Sequence, residues 1–262
     1  MTEPGPSPLY GRRPVLELLR SPGRGIEEIA VLSEGRGPAL QELLGLARQR
    51  GVKVSYRTRD QLTAIAGTTA HQGVVARVAE ARYADLEELL RVPEERAEPA
   101  FFLALDRVQD PRNLGAILRT AEAAGAHGVI VTRHQAVGLT PVVAKAAAGA
   151  LEHLPVAREG NLAQTVERLK AASVWVMGAV ATGGKAPWEV DLAGPLCLVL
   201  GGEGPGLRPL VARECDFLLT LPMGGRIASL NVSAAATALC FEVVRQRAVK
   251  SQKGVDFQGP RS

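Results

Sequence analysis

Two short apolar runs that end in glycine-rich turns constrain the fold of this chain most. Leu196–Leu200 (LCLVL) leads into Gly201–Gly206 (GGEGPG), and Phe217–Leu221 (FLLTL) leads into Pro-Met-Gly-Gly. Apolar runs of this length, stopped by glycine and proline, are typical of strands buried in a parallel sheet. Because open α/β sheets bind ligands at the carboxyl ends of their strands, both turns are candidates for a binding site.

The stretch Leu221–Ser233 (LPMGGRIASLNVS) adds polar side chains to the second turn. It supplies Arg226, Ser229 and Asn231 directly before an alanine-rich helix, so we predict that the active centre lies here. A plainer alternative is that Ser229 and Asn231 only cap that helix. No histidine lies near them in the sequence, which argues against a serine hydrolase.

The turn Gly201–Gly206 also looks like a dinucleotide-binding loop, but its position argues against nicotinamide binding. A fingerprint of that kind follows the first strand of its unit and has an acidic partner about twenty residues later. Here the turn lies late in the chain and contains its own acid, Glu203. Two explanations stay open, an ordinary glycine turn and a small ligand pressed against the backbone.

A polar loop, Asp106–Asn113 (DRVQDPRN), separates the apolar run Phe101–Leu105 from a helix predicted over Leu114–Ala124. Asn113 is the expected N-cap of that helix. Arg119 lies six residues further on, among apolar neighbours, where a cation is either paired or functional. The carboxylates that would neutralise Arg119 are those of Asp106, Asp110 and Glu122.

The composition indicates a globular protein with a mildly basic character. Of the 262 residues, 46% are hydrophobic, which argues against a disordered chain. No apolar run approaches the roughly 20 residues that span a bilayer, and the N-terminus lacks a secretory signal, so we expect a cytoplasmic protein. A net charge of +4 is compatible with a nucleic-acid partner. The four histidines and the three cysteines (Cys197, Cys215, Cys240) form no metal-ligand pattern, so we predict no metal.

The residue pattern divides the chain into two α/β domains. We predict a disordered tail at residues 1–8, a small domain at 9–79, a charged linker at 80–98 with a helix at 86–90, a larger domain at 99–249 and a flexible tail at 250–262. Further strands are predicted at 29–32, 52–56, 74–78, 101–105, 129–131 and 173–180, and helices at 15–20, 39–50, 59–66, 114–124, 141–150, 162–172 and 233–249. This alternation predicts a mostly parallel sheet.

Three motifs, taken together, resemble the SpoU (TrmH-type) RNA ribose 2′-O-methyltransferases of the SPOUT superfamily. They are Asp110–Ala121 (DPRNLGAILRTA), Leu198–Leu207 (LVLGGEGPGL) and Leu221–Ser233, which match in order and spacing. The N-terminal domain, with Tyr10-Gly11 and His71-Gln72-Gly73, is similar to the ribosomal-protein-like RNA-binding domain of the RlmB branch. That branch methylates a guanosine ribose in large-subunit ribosomal RNA.

The resemblance implies a fold, a cofactor and an assembly. The C-terminal third of the chain would form a deep trefoil knot, although knots are rare among protein folds. S-adenosylmethionine would lie in the knot, and the family works as a homodimer through its last helix, here Ser233–Val249. The implied cofactor-binding residues are Gly201, Gly202, Glu203, Gly204, Leu221, Met223, Gly225 and Leu230.

The resemblance also implies a catalytic set, consisting of Asn113, Arg119, Glu203, Ser229 and Asn231. The family points to Arg119 for deprotonation of the ribose hydroxyl, but a guanidinium stays protonated in proteins. Our hypothesis is therefore that Arg119 binds the target phosphate and orients the hydroxyl. The expected RNA contacts are Arg12, Arg13, His71 and Arg112; a lone histidine such as His71 also suits a structural role in a turn.

The predicted function is S-adenosylmethionine-dependent 2′-O-methylation of a guanosine in large-subunit ribosomal RNA. One alternative within the family is a transfer-RNA guanosine 2′-O-methyltransferase, and another is a resistance enzyme that modifies a different ribosomal nucleotide. An alternative of another class is a noncatalytic RNA-binding or ribosome-assembly factor.

Overall fold

The computed structural model describes residues 8–20, 26–78, 83–227 and 229–253. They belong to two compact units: one lies within Met1–Arg82 and Gly138–His153, and the other within Tyr83–Val137 and Leu154–Ser262. We call them the N-terminal unit and the sheet unit. The segment Gly138–His153 groups with the N-terminal unit, whereas the sequence pattern assigned it to the larger domain. Of the tails predicted at 1–8 and 250–262, residues 1–7 and 254–262 lie outside the described residues. Pro8 begins a strand and residues 250–253 continue the last helix, so these parts of the tail predictions were wrong.

Strands and helices alternate along the described chain. The strands are β1 (Pro8–Tyr10), β2 (Ile26–Leu32), β3 (Lys53–Arg57), β4 (Val74–Val78), β5 (Phe101–Asp106), β6 (Gly128–Thr132), β7 (Val156–Glu159), β8 (Trp175–Ala179), β9 (Leu196–Gly201) and β10 (Phe217–Leu219). The helices are α1 (Arg12–Arg20), α2 (Pro38–Gln49), α3 (Arg59–Ala66), α4 (Leu86–Arg96), α5 (Pro111–Ala123), α6 (Pro141–Ala147), α7 (Leu162–Ala171), α8 (Pro209–Glu214) and α9 (Val232–Lys253). Short 3₁₀ helices lie at Ala150–Glu152 and Pro187–Glu189.

The N-terminal unit is built on a four-stranded sheet in the order β1-β4-β2-β3. β2 and β3 pair in parallel, whereas β4 runs antiparallel to both β1 and β2. The apolar face of α1 packs against this sheet, with Val15 and Leu19 almost completely buried. Helix α3 begins with a capping box in which Thr58 and Gln61 bond to each other's backbone N–H.

The sheet unit contains a six-stranded sheet in the order β10-β8-β9-β5-β6-β7, in which all pairings are parallel. The α/β class with a parallel sheet that the sequence predicts is thereby confirmed. All six residues of β5 (FFLALD) are buried, as expected for a central strand covered on both faces. The chain returns from the outer strand β7 to β8 and then places β9 directly beside β5. The carboxyl ends of β5 and β9 are therefore neighbours, at a point where the strand order changes direction.

The structure differs from the sequence prediction at several elements. The helix predicted at 86–90 continues to Arg96 and buries Leu86, Leu89 and Pro93, because its capping box at Asp85 and its apolar stripe support a longer helix. Strands β1 and β7 and helix α8 are too short for the periodicity to reveal. The last helix reaches Lys253, four residues beyond the predicted end.

The predicted N-cap of α5 was wrong. Asp110, not Asn113, caps this helix, since its Oδ1 accepts a hydrogen bond from the N–H of Arg112 at 2.7 Å. Pro111 occupies the first helical position, where its fixed φ and missing N–H favour a helix start. Asn113 therefore lies inside the first turn, and its side chain serves another purpose.

Candidate active site

A cavity of about 420 Å³ opens at the carboxyl ends of β8, β9 and β10 in the sheet unit. Its size lies within the range of small-molecule sites. The lining residues come from the ends of these strands, from the loops that follow β9 and β10, and from the start of α9. They are Ala179–Ala181, Leu200–Gly204, Gly206, Leu219, Leu221, Met223, Ser229–Val232, Ala235 and Leu239.

The loop after β9 requires glycine at its first two positions. A Cβ atom on Gly201 would lie 2.0 Å from the carbonyl carbon of Gly206, and one on Gly202 would lie 2.4 Å from the carbonyl oxygen of Arg107. Backbone is the obstacle in both cases, so a side chain there would force the loop to move. The close approach turns the loop back on itself and leaves its backbone as one wall of the cavity.

A buried ion pair fixes this loop to the end of β5. The carboxylate of Asp106 is completely buried and accepts hydrogen bonds from Arg208 at its backbone N (3.0 Å) and its Nε (2.8 and 3.1 Å). Arg208 Nη2 lies 2.7 Å from Asp106 Oδ1. The carbonyl oxygen of Asp106 also accepts the N–H of Gly202 at 2.8 Å. The loop after β9, which borders the cavity, is thus bound to the end of β5 through both backbone and charge.

A chain of polar side chains runs along the cavity edge. Asn113 Nδ2 donates to Glu203 Oε1 at 2.6 Å, and Asn231 Nδ2 donates to Asn113 Oδ1 at 3.1 Å. Asn231 Oδ1 in turn accepts from the N–H of Ser233 at 2.8 Å, so Asn231 also caps α9. The expected capping role and a role at the site are therefore combined in one side chain. This network joins three segments that are far apart in sequence, and it fixes Glu203 beside the cavity.

Arg119 lies on the exposed face of α5. Within residues 8–20, 26–78, 83–227 and 229–253 it forms no ion pair or hydrogen bond. Of its candidate partners, Asp106 pairs with Arg208 and Asp110 caps α5. The guanidinium is therefore available to an external anion.

The predicted site residues do not all lie in one place. Of the cofactor-binding set, Gly201, Gly202, Glu203, Gly204, Leu221, Met223 and Leu230 line the cavity, whereas Gly225 is exposed and lies outside the lining. Of the catalytic set, Glu203, Ser229 and Asn231 line it, and Asn113 reaches it through its hydrogen bonds.

The residues predicted to contact RNA also differ in accessibility. Arg13 and Arg112 are exposed, and Arg12 is half-buried. His71 is buried: its Nδ1 accepts the N–H of Gly73 at 3.0 Å, and its Nε2 lies 3.2 Å from Thr63 Oγ1. Because both ring nitrogens are engaged within the fold, the geometry favours the structural role of His71 in the turn before β4.

Sequence reasoning missed several residues that shape the site. Asp106 ends a fully apolar strand at its carboxyl end, and a carboxylate in that position was an available signal. Arg208 gave no comparable signal, because its partner lies 102 residues earlier in the chain. The small residues Ala179–Ala181, which form the cavity wall at the end of β8, carry no pattern of their own.

The cysteines are free thiols with the character of core residues. Burial raises the pKa of Cys215 and of Cys240 to about 12, and that of Cys197 still further above the ordinary thiol value. The described part of the chain contains no group of three or more His, Cys, Asp or Glu side chains placed to bind a metal. Among its helices, none has the length and apolar character needed to cross a membrane.

Comparison with known proteins gives two family matches that together span most of the chain. Residues 100–241 match the SpoU rRNA methylase family, and residues 8–84 match the RNA 2′-O ribose methyltransferase substrate-binding family.

Individual relatives agree with these matches. The chain is 45% identical over 239 residues to YacO of Bacillus subtilis, which is named for the TrmH family of tRNA/rRNA methyltransferases, covering 91% of this chain and 95% of YacO. It is 45% identical over 248 residues to the 23S rRNA (guanosine-2′-O-)-methyltransferase RlmB of Pseudomonas putida, covering 92% and 97%. The crystal structure of the SpoU methyltransferase AviRb from Streptomyces viridochromogenes with AdoMet superposes with a TM-score of 0.78 at 29% identity, covering 92% and 90%.

Proposed function

Because the chain belongs to the SpoU rRNA methylase family, we propose that it transfers a methyl group from S-adenosylmethionine to the ribose 2′-OH of a guanosine in large-subunit ribosomal RNA. Relatives named for this reaction match more than nine-tenths of the chain at 45 and 42% identity. The observation that carries the proposal is the intact polar network of Glu203, Asn113 and Asn231 at the edge of a cavity of suitable size.

The cavity residues fit S-adenosylmethionine. Apolar side chains such as Val180, Leu219 and Leu239 offer a slot for an adenine ring, and the bare backbone of Gly201 and Gly202 allows close approach to polar edges. When bound, the cofactor supplies an electrophilic methyl group on a sulfonium ion. Leu221, Met223 and Leu230 are the further residues that would hold it.

The residues of this chain would contribute mainly positioning. The hydrogen bonds of Asn113 keep Glu203 and Asn231 at fixed places beside the cavity, which limits the orientations of a ribose entering there. Ser229 presents a hydroxyl at the same edge. We assign to Arg119 the binding of the target phosphate, which leaves the proton of the 2′-OH to phosphate or water. The predicted trefoil knot stays a prediction.

The first experiment is transfer of labelled methyl from S-adenosylmethionine to total RNA, followed by nuclease digestion and nucleoside analysis. Label in 2′-O-methylguanosine of large-subunit RNA is the expected result. Label in transfer RNA, or in another 2′-O-methylnucleoside, would replace the assigned target while keeping the reaction. Absence of transfer to naked RNA and to ribosomal precursors, together with absence of cofactor binding, would refute catalysis.

The role of Arg119 has its own test. Arg119→Lys keeps the charge but loses the planar fork that binds phosphate at two nitrogens. We expect turnover to fall by about 10²-fold, the scale of a misplaced substrate, with the affinity for S-adenosylmethionine unchanged. Arg213→Lys, on the exposed side of α8, is the matched control. Full turnover by Arg119→Lys would contradict the positional role.

We also propose that the enzyme is a cytoplasmic homodimer that pairs through α9. One face of this helix is buried in the sheet unit, whereas Phe241 is 48% and Val249 39% exposed on the remainder. Exposed apolar side chains on a helix are typical of subunit interfaces. Phe241→Asp should convert a dimer to a monomer in light scattering coupled to size-exclusion chromatography. A monomeric wild-type chain would contradict the proposal.

A further inference from the structure

A second cavity, of about 380 Å³, lies entirely within the N-terminal unit. It is bordered by the start of α1, the end of β2 and its loop, the first turns of α2 and α3, and the turn before β4. Its lining residues are Arg12, Leu32, Gly35, Leu40, Arg59, Gln72 and Gly73. This cavity is independent of the candidate active site, since all of its residues belong to the other unit.

Two guanidinium groups border this cavity, and no carboxylate among the described residues pairs with either of them. Arg12 is held at the edge by Gln72, whose side-chain oxygen accepts the Arg12 backbone N–H and whose carbonyl accepts Arg12 Nε, both at 3.3 Å. Those bonds leave the terminal nitrogens of Arg12 free of partners within the described residues. Arg59 is exposed and makes no ion pair or hydrogen bond in the same part of the chain. The cavity therefore has positive charge available to bind an anion.

The remaining walls are apolar or bare backbone. Leu32 and Leu40 supply hydrocarbon surface. A Cβ placed on Gly73, which has φ of +77°, would lie 3.3 Å from the Leu32 Cβ. A Cβ on Gly35 would lie 2.9 Å from both the Leu32 carbonyl oxygen and Leu40 Cδ2. Side chains larger than glycine at these two positions would thus distort the cavity wall. A flat, uncharged group next to a phosphate matches this combination of surfaces.

The charge of the chain is concentrated in this unit. The ranges of this unit, Met1–Arg82 and Gly138–His153, contain thirteen Lys and Arg against nine Asp and Glu, a net charge of +4, which equals the net charge of the whole chain. The N-terminal unit is accordingly the part of the molecule that attracts a polyanion.

We propose that this cavity binds a single unstacked nucleotide of the substrate RNA, with its phosphate between Arg12 and Arg59 and its base or sugar against Leu32 and Leu40. This inference rests on the proposed function, because it takes RNA to be the substrate. The N-terminal unit would then make one defined contact with the RNA, in addition to attracting it through its overall positive charge. The site would fix the position of the RNA strand without taking part in methyl transfer.

The test is binding of the full-length protein to a labelled transcript of large-subunit ribosomal RNA at several salt concentrations. Arg59→Ala should raise Kd by about tenfold. The negative slope of log association constant against log salt should become shallower by about 1, as for loss of one phosphate contact. Arg12→Lys keeps the charge but loses the fork, and should raise Kd by about fivefold with a smaller change of slope. Arg48→Ala removes the same charge from the exposed surface of α2, outside the cavity, and should stay within about twofold of wild type.

Two further measurements distinguish binding of an RNA strand in this cavity from damage to the sheet unit and from binding of a free nucleotide. S-adenosylmethionine affinity should be equal in all variants, which shows that the sheet unit is intact. Guanosine 5′-monophosphate tests a free nucleotide as occupant: micromolar binding to wild type, lost in Arg59→Ala, would overturn the assignment to an RNA strand. Equal losses in Arg48→Ala and Arg59→Ala would also overturn it, since the effect would then be one of overall charge. If the wild type binds RNA through Arg59 but transfers no methyl group, the proposed function fails and this site stands.

Discussion

Removal of Arg208 should destabilise the sheet unit far more than removal of an ordinary surface arginine. The side chain of Asp106 is completely buried, whereas that of Arg208 is 34% exposed. Arg208→Ala therefore leaves a carboxylate in the interior that keeps, among the described residues, only the backbone N–H of residue 208 as a donor. Breaking a buried pair from one side costs about 3–5 kcal/mol. Because water reaches Arg208 and one hydrogen bond survives, we expect the lower end, about 3 kcal/mol, or a fall in Tm of about 6–12 °C.

The two partners should behave asymmetrically. Asp106→Ala removes the buried charge and leaves an arginine that turns toward solvent, so its cost should be nearer 1–2 kcal/mol. The double variant Asp106→Ala/Arg208→Ala should be about as stable as Asp106→Ala alone, because no charge is left buried. Arg245→Ala is the matched control: the exposed Arg245 pairs with Glu242 one turn earlier on α9, and its loss should lower stability much less than loss of Arg208.

Equilibrium unfolding in urea measures these differences. Tryptophan fluorescence reports on the sheet unit alone, because both tryptophans of the chain, Trp175 and Trp188, lie within it. The reasoning is refuted if Arg208→Ala costs no more than Arg245→Ala. It is also refuted if the double variant loses the sum of the two single losses, since the pair would then contribute no coupling.

Three further predictions concern the site loop, a buried histidine and the thiols. Gly201→Ala should weaken S-adenosylmethionine binding at least about tenfold in calorimetry, because the new Cβ meets the backbone of Gly206, whereas Gly160→Ala, where no atom lies within 4 Å, should leave it unchanged. Burial lowers the pKa of His127, so the unfolded chain binds a proton more readily; the free energy of unfolding should fall as the pH drops below about 6.5, and this loss should disappear in His127→Gln. A thiol reagent at pH 8 should react slowly with the native protein and rapidly with three thiols after unfolding; prompt reaction of all three in the native state would contradict the burial of Cys197 and Cys240.

The sequence alone predicts most elements of the larger sheet, because local chemistry determines them. The apolar runs at β5 and β9 are long enough to be recognised, and each ends in residues that stop a strand. Helix α3 is predicted with its observed limits, since Thr58 caps its start and Gly67, with φ of +65°, ends it. Strand β7 has only four residues and α8 only six, and such short segments carry too few repeats of a pattern to be recognised.

The pairing of distant segments is what local rules leave undetermined. Nothing in the residues around Asp106 specifies that Arg208 will bond to it, because the contact depends on β9 entering the sheet beside β5. The glycines of the turn after β9 were a visible signal, but their purpose depends on a backbone approach by residues 107 and 206 that appears only in the folded chain. The motif therefore locates the site, while its geometry comes from the strand order.

Asn113 shows most clearly how a local rule fails at a functional position. Its residue type and its place at the head of a helix favour an N-cap, yet Asp110 and Pro111 start the helix earlier and leave Asn113 buried in the first turn. A buried amide without partners would cost stability, so its position is tolerable only because Glu203 and Asn231, 90 and 118 residues away, accept and donate hydrogen bonds to it. Departures from local preference of this kind are expected at functional sites, because function, and not helix stability, then determines where the side chain lies. Asn113→Ala should accordingly lower the rate of methyl transfer by a larger factor than it lowers the equilibrium constant for folding. An unchanged rate of transfer would contradict that interpretation.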